Sequence, residues 1–233
     1  MKILAVDSSG LVASAAIVED ETLTAEYTVC HRKTHSQTLM PMIAEIIKMT
    51  ETDMSTFDAV AVAGGPGSFT GLRIGSAAVK GLAEGIGKPV VSVPTVDALA
   101  MNLWGSSDLV VPLMDARRNE TYTGIYTFDD NGLVILRAQC AVPLDEIIND
   151  VNSRGNRVIF LGDGVPVFSE QIELKVKVPF RFAPAHMNKQ RAGAVGVLAC
   201  RYFSEGKYID AAEHSPDYLR VWGGRNDHYR KTD

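Results

Sequence analysis

The sequence contains little cysteine, no long apolar run and no cluster of positive charge. Its three cysteines, Cys30, Cys140 and Cys200, are scattered along 233 residues, so they indicate neither a disulfide framework nor a paired-cysteine metal site. A reducing cytoplasm is therefore the expected location. No run of about 18 apolar residues is present, which argues against a transmembrane helix. The opening residues MKILAVDSSG lack the features of a secretory signal.

Charge argues against a further class of function. The net charge is −5, and no run of lysine and arginine is longer than two residues. Because neutralisation of phosphates dominates affinity for nucleic acid, the chain is not expected to bind RNA by itself. Contact with RNA through a partner protein stays open.

A glycine-rich stretch at residues 60–85 organises the rest of the chain. Its sequence, VAVAGGPGSFTGLRIGSAAVKGLAEG, predicts a buried strand, a tight loop and a helix. A glycine loop that opens a helix can hold a phosphate group, and the alternative is a structural turn. Neither standard phosphate-binding pattern of glycines is present, which favours the turn. The small residues of the helix predict close packing against a neighbour.

Residues 2–29 predict three antiparallel strands. The turn between the first two strands holds Asp7, Ser8, Ser9 and Gly10. In the actin-like ATPases such a tip faces the phosphates and metal of a nucleotide, which makes Asp7, Ser8 and Ser9 candidate nucleotide-facing residues. The alternative is a turn in which the aspartate binds only the backbone.

Two further patterns follow this meander. His31 and His35 have a spacing that suits metal ligands on a helix, but no third ligand is evident, so no metal site is predicted. Residues 36–50 form a helix whose apolar stripe covers more than one face. Such a helix lies deep in a core or contacts a partner.

The second half of the chain repeats the pattern of the first. Residues 105–108, GSSD, predict a boundary between subdomains at 1–105 and 106–233. Strands at 109–114, 121–128 and 133–138 again form a meander, and helices follow at 144–151 and 191–205. Residues 172–182 are predicted to be extended. The two halves suggest a duplicated α/β unit.

Several stretches together resemble the TsaB (YeaZ) family of bacteria. They are ILAVDSS, HSQTLMPMI, GGPGSFTGLRIG followed by VKGLA, DARRNETY and PDYLR, and they cover nearly the whole chain. The resemblance implies an α/β, actin-like ATPase fold, with two subdomains that each have a mixed β-sheet flanked by helices.

The resemblance also implies a function in tRNA modification. Family members are non-catalytic partners of TsaD, the catalyst, and of TsaE, an ATPase. Together these proteins attach threonylcarbamoyl to the adenosine beside the anticodon, in tRNAs that read codons starting with A. The implied chain forms a homodimer when alone, contacts tRNA only through the complex and has no membrane contact. It binds no cofactor tightly by itself, and ATP or ADP with magnesium is expected only in the complex.

A comparison with TsaD supports this division of labour. TsaD holds its metal with a histidine pair that aligns by eye with Thr95 and Leu99, and leucine cannot coordinate a metal. No catalytic residue and no metal ligand is therefore assigned. The alternatives that stay open are a stand-alone ATP-dependent transferase and a peptidase of the glycoprotease-like type.

The helices at 36–50 and 69–84 are predicted to form the main partner and dimer interface, as family members associate through this pair. The alternative is that both helices belong to the core. The predicted interface residues are His35, Leu39, Met42, Phe69, Leu72, Arg73, Ser76, Val79 and Lys80.

Overall fold

The computed structural model describes residues 1–20, 22–31 and 34–219. These residues form two five-stranded sheets with helices packed against them. No helix within them is both long and apolar enough to cross a lipid bilayer. The strands are β1 Lys2–Asp7, β2 Ala13–Glu19, β3 Thr22–Val29, β4 Ala59–Gly65, β5 Val90–Pro94, β6 Leu109–Asp115, β7 Glu120–Asp129, β8 Gly132–Pro143, β9 Val158–Leu161 and β10 Phe180–Phe182. The helices are α1 His35–Met49, α2 Phe69–Ile86, α3 Thr95–Met101, α4 Leu144–Arg154, α5 Val165–Lys175 and α6 Ala192–Ser204.

The first sheet is covered by helices on both faces. Its strand order is β3-β2-β1-β4-β5, with β1 antiparallel to β2 and parallel to β4. Alternate residues of β1 point to opposite faces: Leu4 and Val6 pack with α1 and α2, whereas Ile3 and Ala5 pack with α6. This double cover explains why β1 and β4 consist of almost unbroken apolar residues.

The second sheet repeats the topology of the first. Its order is β10-β9-β6-β7-β8, so β6 takes the place of β1 and β9 takes the place of β4. Helices α4 and α5 pack on one face, around Phe160 and Phe168. Helix α3 packs on the other face, between the two sheets. The predicted duplication of an α/β unit is confirmed at the level of strand order.

The end of the described chain returns to the first sheet. Helix α6 packs on β1, β4 and β5, and its residues Val195 and Leu198 lie in the same core as Ile3. A backbone bridge then joins Ile209 to Val90 of β5. Residue 105, the predicted subdomain boundary, lies between β5 of the first sheet and β6 of the second. Residues 192–219, which that prediction assigned to the second subdomain, pack with the first sheet through α6 and Ala211.

Helix α5 lies partly where an extended segment was predicted. Its sequence is VPVFSEQIELK, and the β-branched valines and the proline at its start weaken a helical pattern. The proline sits in the first turn, where its missing N–H costs no hydrogen bond. The extended prediction for residues 172–182 is correct only for β10.

Candidate functional site

The turn between β1 and β2 is buried, although three of its four residues are polar. The carboxylate of Asp7 accepts hydrogen bonds from the backbone N–H of Ser9 at 2.8 Å and from its Oγ at 2.6 Å. Only 1% of Asp7 is exposed, and this burial raises its pKa to about 6. The hydrogen bonds to Ser9 oppose the shift without cancelling it. The turn therefore has the form of an Asx-turn, and its carboxylate is held away from water.

The glycine-rich start of α2 packs directly on this turn. The Ser8 Oγ donates to the carbonyl of Gly71 at 2.9 Å, and the N–H of Ser68 donates to the Ser9 carbonyl at 2.7 Å. A Cβ atom added at Gly67 or Gly71 would clash with the backbone of this turn. The small residues of the loop thus allow close approach within the subunit.

Polar groups from the second half of the chain lie against this turn at the junction of the two sheets, which we call the cleft. Asp163 follows β9, and burial raises its pKa, with the charge of Asp115 adding to the effect. The same carboxylate disfavours the ionised form of Asp7. Gln190 is 1% exposed, and a Cβ on Gly10 would lie 2.6 Å from its Nε2 atom. Side chains therefore fill the space over the turn.

Several atoms along this cleft have no hydrogen-bond partner among the described residues. They are both polar atoms of the Gln190 amide, Oδ1 of Asp163 and Nδ1 of His35. The other ring nitrogen of His35, Nε2, donates to the Gly10 carbonyl at 2.8 Å. Oxygen atoms of this kind suit water or a hard cation. No group of three or more His, Cys, Asp and Glu residues is placed to hold a metal in the described part of the chain.

Four of the nine predicted interface residues lie inside the subunit. Leu39, Met42 and Val79 belong to the core between the first sheet, α1 and α2, and Leu72 is 1% exposed. These side chains already have neighbours in their own chain. They cannot reach a partner without leaving the core.

Four more of the nine contact a C-terminal segment, Ala211–Leu219, which we call the strap. The Ser76 hydroxyl bonds to Nε2 of His214 at 3.0 Å, and Nζ of Lys80 donates to the His214 carbonyl at 3.1 Å. Tyr218 packs on Phe69, with ring centroids 5.1 Å apart, and accepts a hydrogen bond from Nε of Arg73 at 3.3 Å. The ninth residue, His35, binds Gly10 as described above.

The Ser76–His214 pair does not form a catalytic triad with any described residue. Both side chains are buried, and Nδ1 of His214 has no described partner. Burial lowers the pKa of His214, and the nearby charge of Lys80 lowers it further. A hydrolytic triad needs an acid on that nitrogen and a reachable hydroxyl. This pair instead fastens the strap to α2.

Four of the residues that the helix pair leaves exposed are apolar. Met40 is 45% exposed, and Ala44 on α1 and Ala77 on α2 are also exposed. Gly81 is exposed too, and a Cβ added there would meet no atom within 4 Å. We call these four positions the helix ridge. Three of the four, Ala44, Ala77 and Gly81, are small, so the backbone of another molecule can come close at these positions.

Solved structures with the same architecture confirm the fold. YeaZ from Pseudomonas aeruginosa matches with a TM-score of 0.78 at 24% identity, over 93% of this chain and 99% of that chain. The activator of the 2-hydroxyisocaproyl-CoA dehydratase from Clostridium difficile, solved with bound ADPNP, matches with a TM-score of 0.51 at 10% identity, over 88% of this chain and 97% of that chain. The predicted actin-like ATPase fold is correct.

Sequence comparison identifies the family. The model described as TsaD, tRNA N6-adenosine threonylcarbamoyltransferase, matches residues 28–222. The tRNA threonylcarbamoyladenosine biosynthesis protein TsaB of Escherichia coli (strain K12) is 31% identical over 226 residues, which cover 94% of this chain and 95% of that protein. The chain belongs to the TsaB family. The resemblance expected from the sequence motifs is thereby confirmed.

In this TsaB family member, the two positions expected from the sequence to match the TsaD histidines have structural roles. The Thr95 Oγ1 atom is fully buried and accepts a hydrogen bond from the Gly65 N–H at 3.1 Å. Leu99 lies in the apolar core between the sheets, beside Val96 and Ala100. Neither side chain is free to coordinate a metal.

Sequence reasoning missed part of what surrounds the cleft. Asp163 lies in a Gly-Asp-Gly turn, which is a detectable turn signal, but nothing local indicates that Gln190 reaches Gly10. Tyr218 of the PDYLR motif packs on Phe69. The last residue of that motif, Arg220, lies outside the described residues.

Proposed function

We propose that this chain is a non-catalytic partner subunit in threonylcarbamoyladenosine synthesis on tRNA. It acts with a TsaD-type transferase and a TsaE-type ATPase in the cytoplasm, and it contacts tRNA only through that complex. Support comes from the family: a relative of almost the same length carries this biosynthetic role in its name. The adenosine modified is the one beside the anticodon, in tRNAs reading codons that start with A.

The observation that carries the non-catalytic part is the environment of Thr95 and Leu99. A transferase of the TsaD type needs a metal to polarise its substrate. Here the corresponding helix positions are a buried threonine that holds backbone and a leucine in an apolar core. Metal ligands at these two positions would require repacking of the interface between the two sheets.

Reconstitution tests the proposal directly. The purified chain is assayed with TsaD, TsaE, tRNA, ATP and the threonylcarbamoyl donor, and each protein is omitted in turn. We expect no modified tRNA from the chain alone and a strong dependence of TsaD turnover on its presence. Turnover by the chain alone, free of contaminating TsaD, would contradict the assignment. So would full TsaD turnover in its absence.

We further propose that the helix ridge is the docking face for TsaD and for a second copy of the chain. A two-fold dimer places the same patch on both sides, and a homologous partner can imitate that patch, so the two assemblies compete. The ridge supports this because its four positions are apolar and three of them are small, as a close helix contact requires. The strap lies along the same helix, so it borders the proposed contact.

The test places a charge on the ridge. Ala77→Glu should weaken association with TsaD by at least about 100-fold, because an unpaired charge buried in an interface costs about 3–5 kcal/mol. Melting of the free subunit should be unchanged, since Ala77 is exposed. Val167→Glu on α5, where the native side chain is 56% exposed, is the matched control. Normal TsaD affinity in the Ala77 variant would place the interface elsewhere.

The proposed cofactor behaviour follows from the closed cleft. Asp7, Ser8 and Ser9 are each no more than 2% exposed, so a nucleotide has no access to them while the subunit keeps this form. We propose that the isolated chain binds no cofactor tightly and that ATP or ADP with magnesium is held only in the complex. Titration with Mg-ATP, with and without TsaD, measures this.

A stand-alone ATP-dependent transferase is the second candidate. The observation in its favour is the pair Asp7 and Asp163, two carboxylates that face one cleft from different subdomains. This candidate predicts that the chain alone binds Mg-ATP and that Asp7→Ala abolishes turnover with folding intact. The first candidate predicts only a modest loss in the reconstituted system.

A further inference from the structure

Helix α3 is packed on both sides, and each side belongs to a different sheet. Val96, Leu99 and Ala100 lie in the core shared with the second sheet. Ala98 lies in the core between the first sheet and α6. The helix therefore contacts both sheets and fixes the position of one relative to the other.

The polar face of α3 carries a buried carboxylate. Asp97 is 4% exposed and accepts a hydrogen bond of 2.7 Å from the hydroxyl of Tyr126 on β7. Tyr126 has no exposed surface. A Cβ atom at Gly124 would lie 2.6 Å from the Tyr126 hydroxyl, so the glycine leaves room for this bond. Burial raises the pKa of Asp97, while hydrogen bonds from Tyr126 and from Tyr202 of α6 oppose the shift.

A second polar link lies at the start of the same helix. Gln139 of β8 accepts from the Val96 N–H at 3.4 Å and donates to the Gly65 carbonyl at 3.4 Å. These bonds are long, whereas the Asp97–Tyr126 bond is short and fully buried. A hydrogen bond to a charged group in such a place is stronger than a neutral one.

We propose that Asp97 and Tyr126 form a latch that keeps the cleft between the two sheets closed. A movement of the second sheet away from α3 would open the cleft and separate β7 from this helix, and it cannot happen without breaking the bond between the two side chains. The latch explains how Asp7, Ser9 and Gln190 stay nearly inaccessible although their polar groups face one another. The inference does not depend on the proposed function, since it concerns only how the two sheets are held.

Hydrogen exchange followed by mass spectrometry tests the latch in the full chain. The reporters are the Ser9 N–H, bonded to Asp7, and the Gly162 N–H, bonded to Asn188. Tyr126→Phe removes only the hydroxyl. We expect exchange at these reporters to rise about 10- to 100-fold, as loss of a hydrogen bond to a charged group implies. Exchange in α4, which packs on the opposite face of the second sheet, should change much less.

Two further variants are compared with Tyr126→Phe. Asp97→Asn retains an acceptor for Tyr126 without the charge, so it should raise exchange at the cleft by a smaller factor. Tyr208→Phe removes the hydroxyl of a tyrosine that is 48% exposed and should leave exchange unchanged. Unchanged protection of Ser9 and Gly162 in Tyr126→Phe would overturn the proposal. An increase spread evenly over all segments would do the same, because it would indicate a general loss of stability.

Discussion

The two sheets have one topology and two different surroundings. In the first, the turn after β1 is covered by the glycine-rich start of α2, and Asp7 is buried. In the second, the turn after β6 is exposed, and Arg117, Arg118 and Asn119 have left-handed backbone, with φ of 65°, 55° and 61°. The difference shows that the burial of a turn is decided by the residues that pack over it and not by strand order.

The helices that follow β4 and β9 differ in the same way. Helix α2 has 18 residues and is held by the strap, whereas α5 has 11. Val167 and Leu174 of α5 are more than half exposed. The first half therefore carries a longer and more constrained helix layer. Three pairs of variants test this difference between the two halves.

The largest effect is expected from a charge placed on the inner face of α2. Leu72→Glu should unfold the subunit or destabilise it by at least about 3–5 kcal/mol, because the new carboxylate is buried without a partner. Val167→Glu on α5 should change the free energy of unfolding by no more than about 0.5 kcal/mol. Urea unfolding measures both. Equal effects would show that the two helices are equally embedded.

An intermediate effect, in this case a gain in the free energy of unfolding, is expected from a substitution in the β1–β2 turn. Because burial raises the pKa of Asp7 from 3.8 to about 6, its protonated carboxyl group contributes full stability below about pH 4, and that stability is lost as the pH rises through 6 and the buried group ionises. Asp7→Asn removes the titration and keeps the oxygen that accepts from Ser9. It should therefore raise the free energy of unfolding at pH 7.5 by about 2–3 kcal/mol, with no gain near pH 4.

The equivalent change in the second half serves as the comparison for Asp7. Asp115 forms a 3.0 Å ion pair with Arg117, whose side chain is 84% exposed. Surface pairs of this kind contribute up to about 1 kcal/mol, so Asp115→Asn should be neutral or slightly destabilising. Denaturant curves from pH 4 to pH 8 distinguish the two sites. A destabilised Asp7→Asn at pH 7.5 would mean that the ionised carboxylate is needed in the fold.

The smallest effect concerns the strap, which has no counterpart on α5 within the part of the chain that the structure describes. The lowered pKa of His214 means that its contribution to stability is complete above its unfolded pKa and is lost as the pH falls below it. Between pH 7 and pH 5, His214→Gln should lose less stability than the native chain. The difference should be modest, since one neutral hydrogen bond, worth about 1 kcal/mol, joins the ring to α2. His186→Gln, at an exposed position, should leave the pH profile unchanged.

Local pattern was sufficient for most of the helices and strands, although not for α5, and it was insufficient for their outward faces. The apolar run of β1 and the stripe of α1 predict their structures because burial repeats with a fixed period. The same periodicity does not reveal which face of α1 or α2 remains exposed. Ser76 and Lys80 were predicted interface residues, but they bind a segment that lies more than 130 residues later in the chain. Long-range contacts of this kind leave no local signal.

The candidate cleft shows the same limit. Asp7 and Ser9 are recognisable as a turn because an aspartate beside hydroxyl residues suits that geometry. That their polar groups would be covered by Gln190 depends on how two sheets meet, and this is set by α3. The replacement at Leu99 was readable because a leucine excludes coordination in any structure. Residue chemistry can rule out a site from sequence alone, but access to a site depends on packing.

The bridge between Val90 and Ile209 has a consequence for how the chain is completed. At the edge of the first sheet, β5 pairs with Ile209, and this residue leaves the ribosome after every strand of the second sheet. The same is true of α6, which covers one face of β1 and β4. One face of β1 and β4 therefore stays uncovered until α6 has been synthesised, and its apolar surface is exposed until then. In a fold with so many distant contacts, the part synthesised first is the part that matures last.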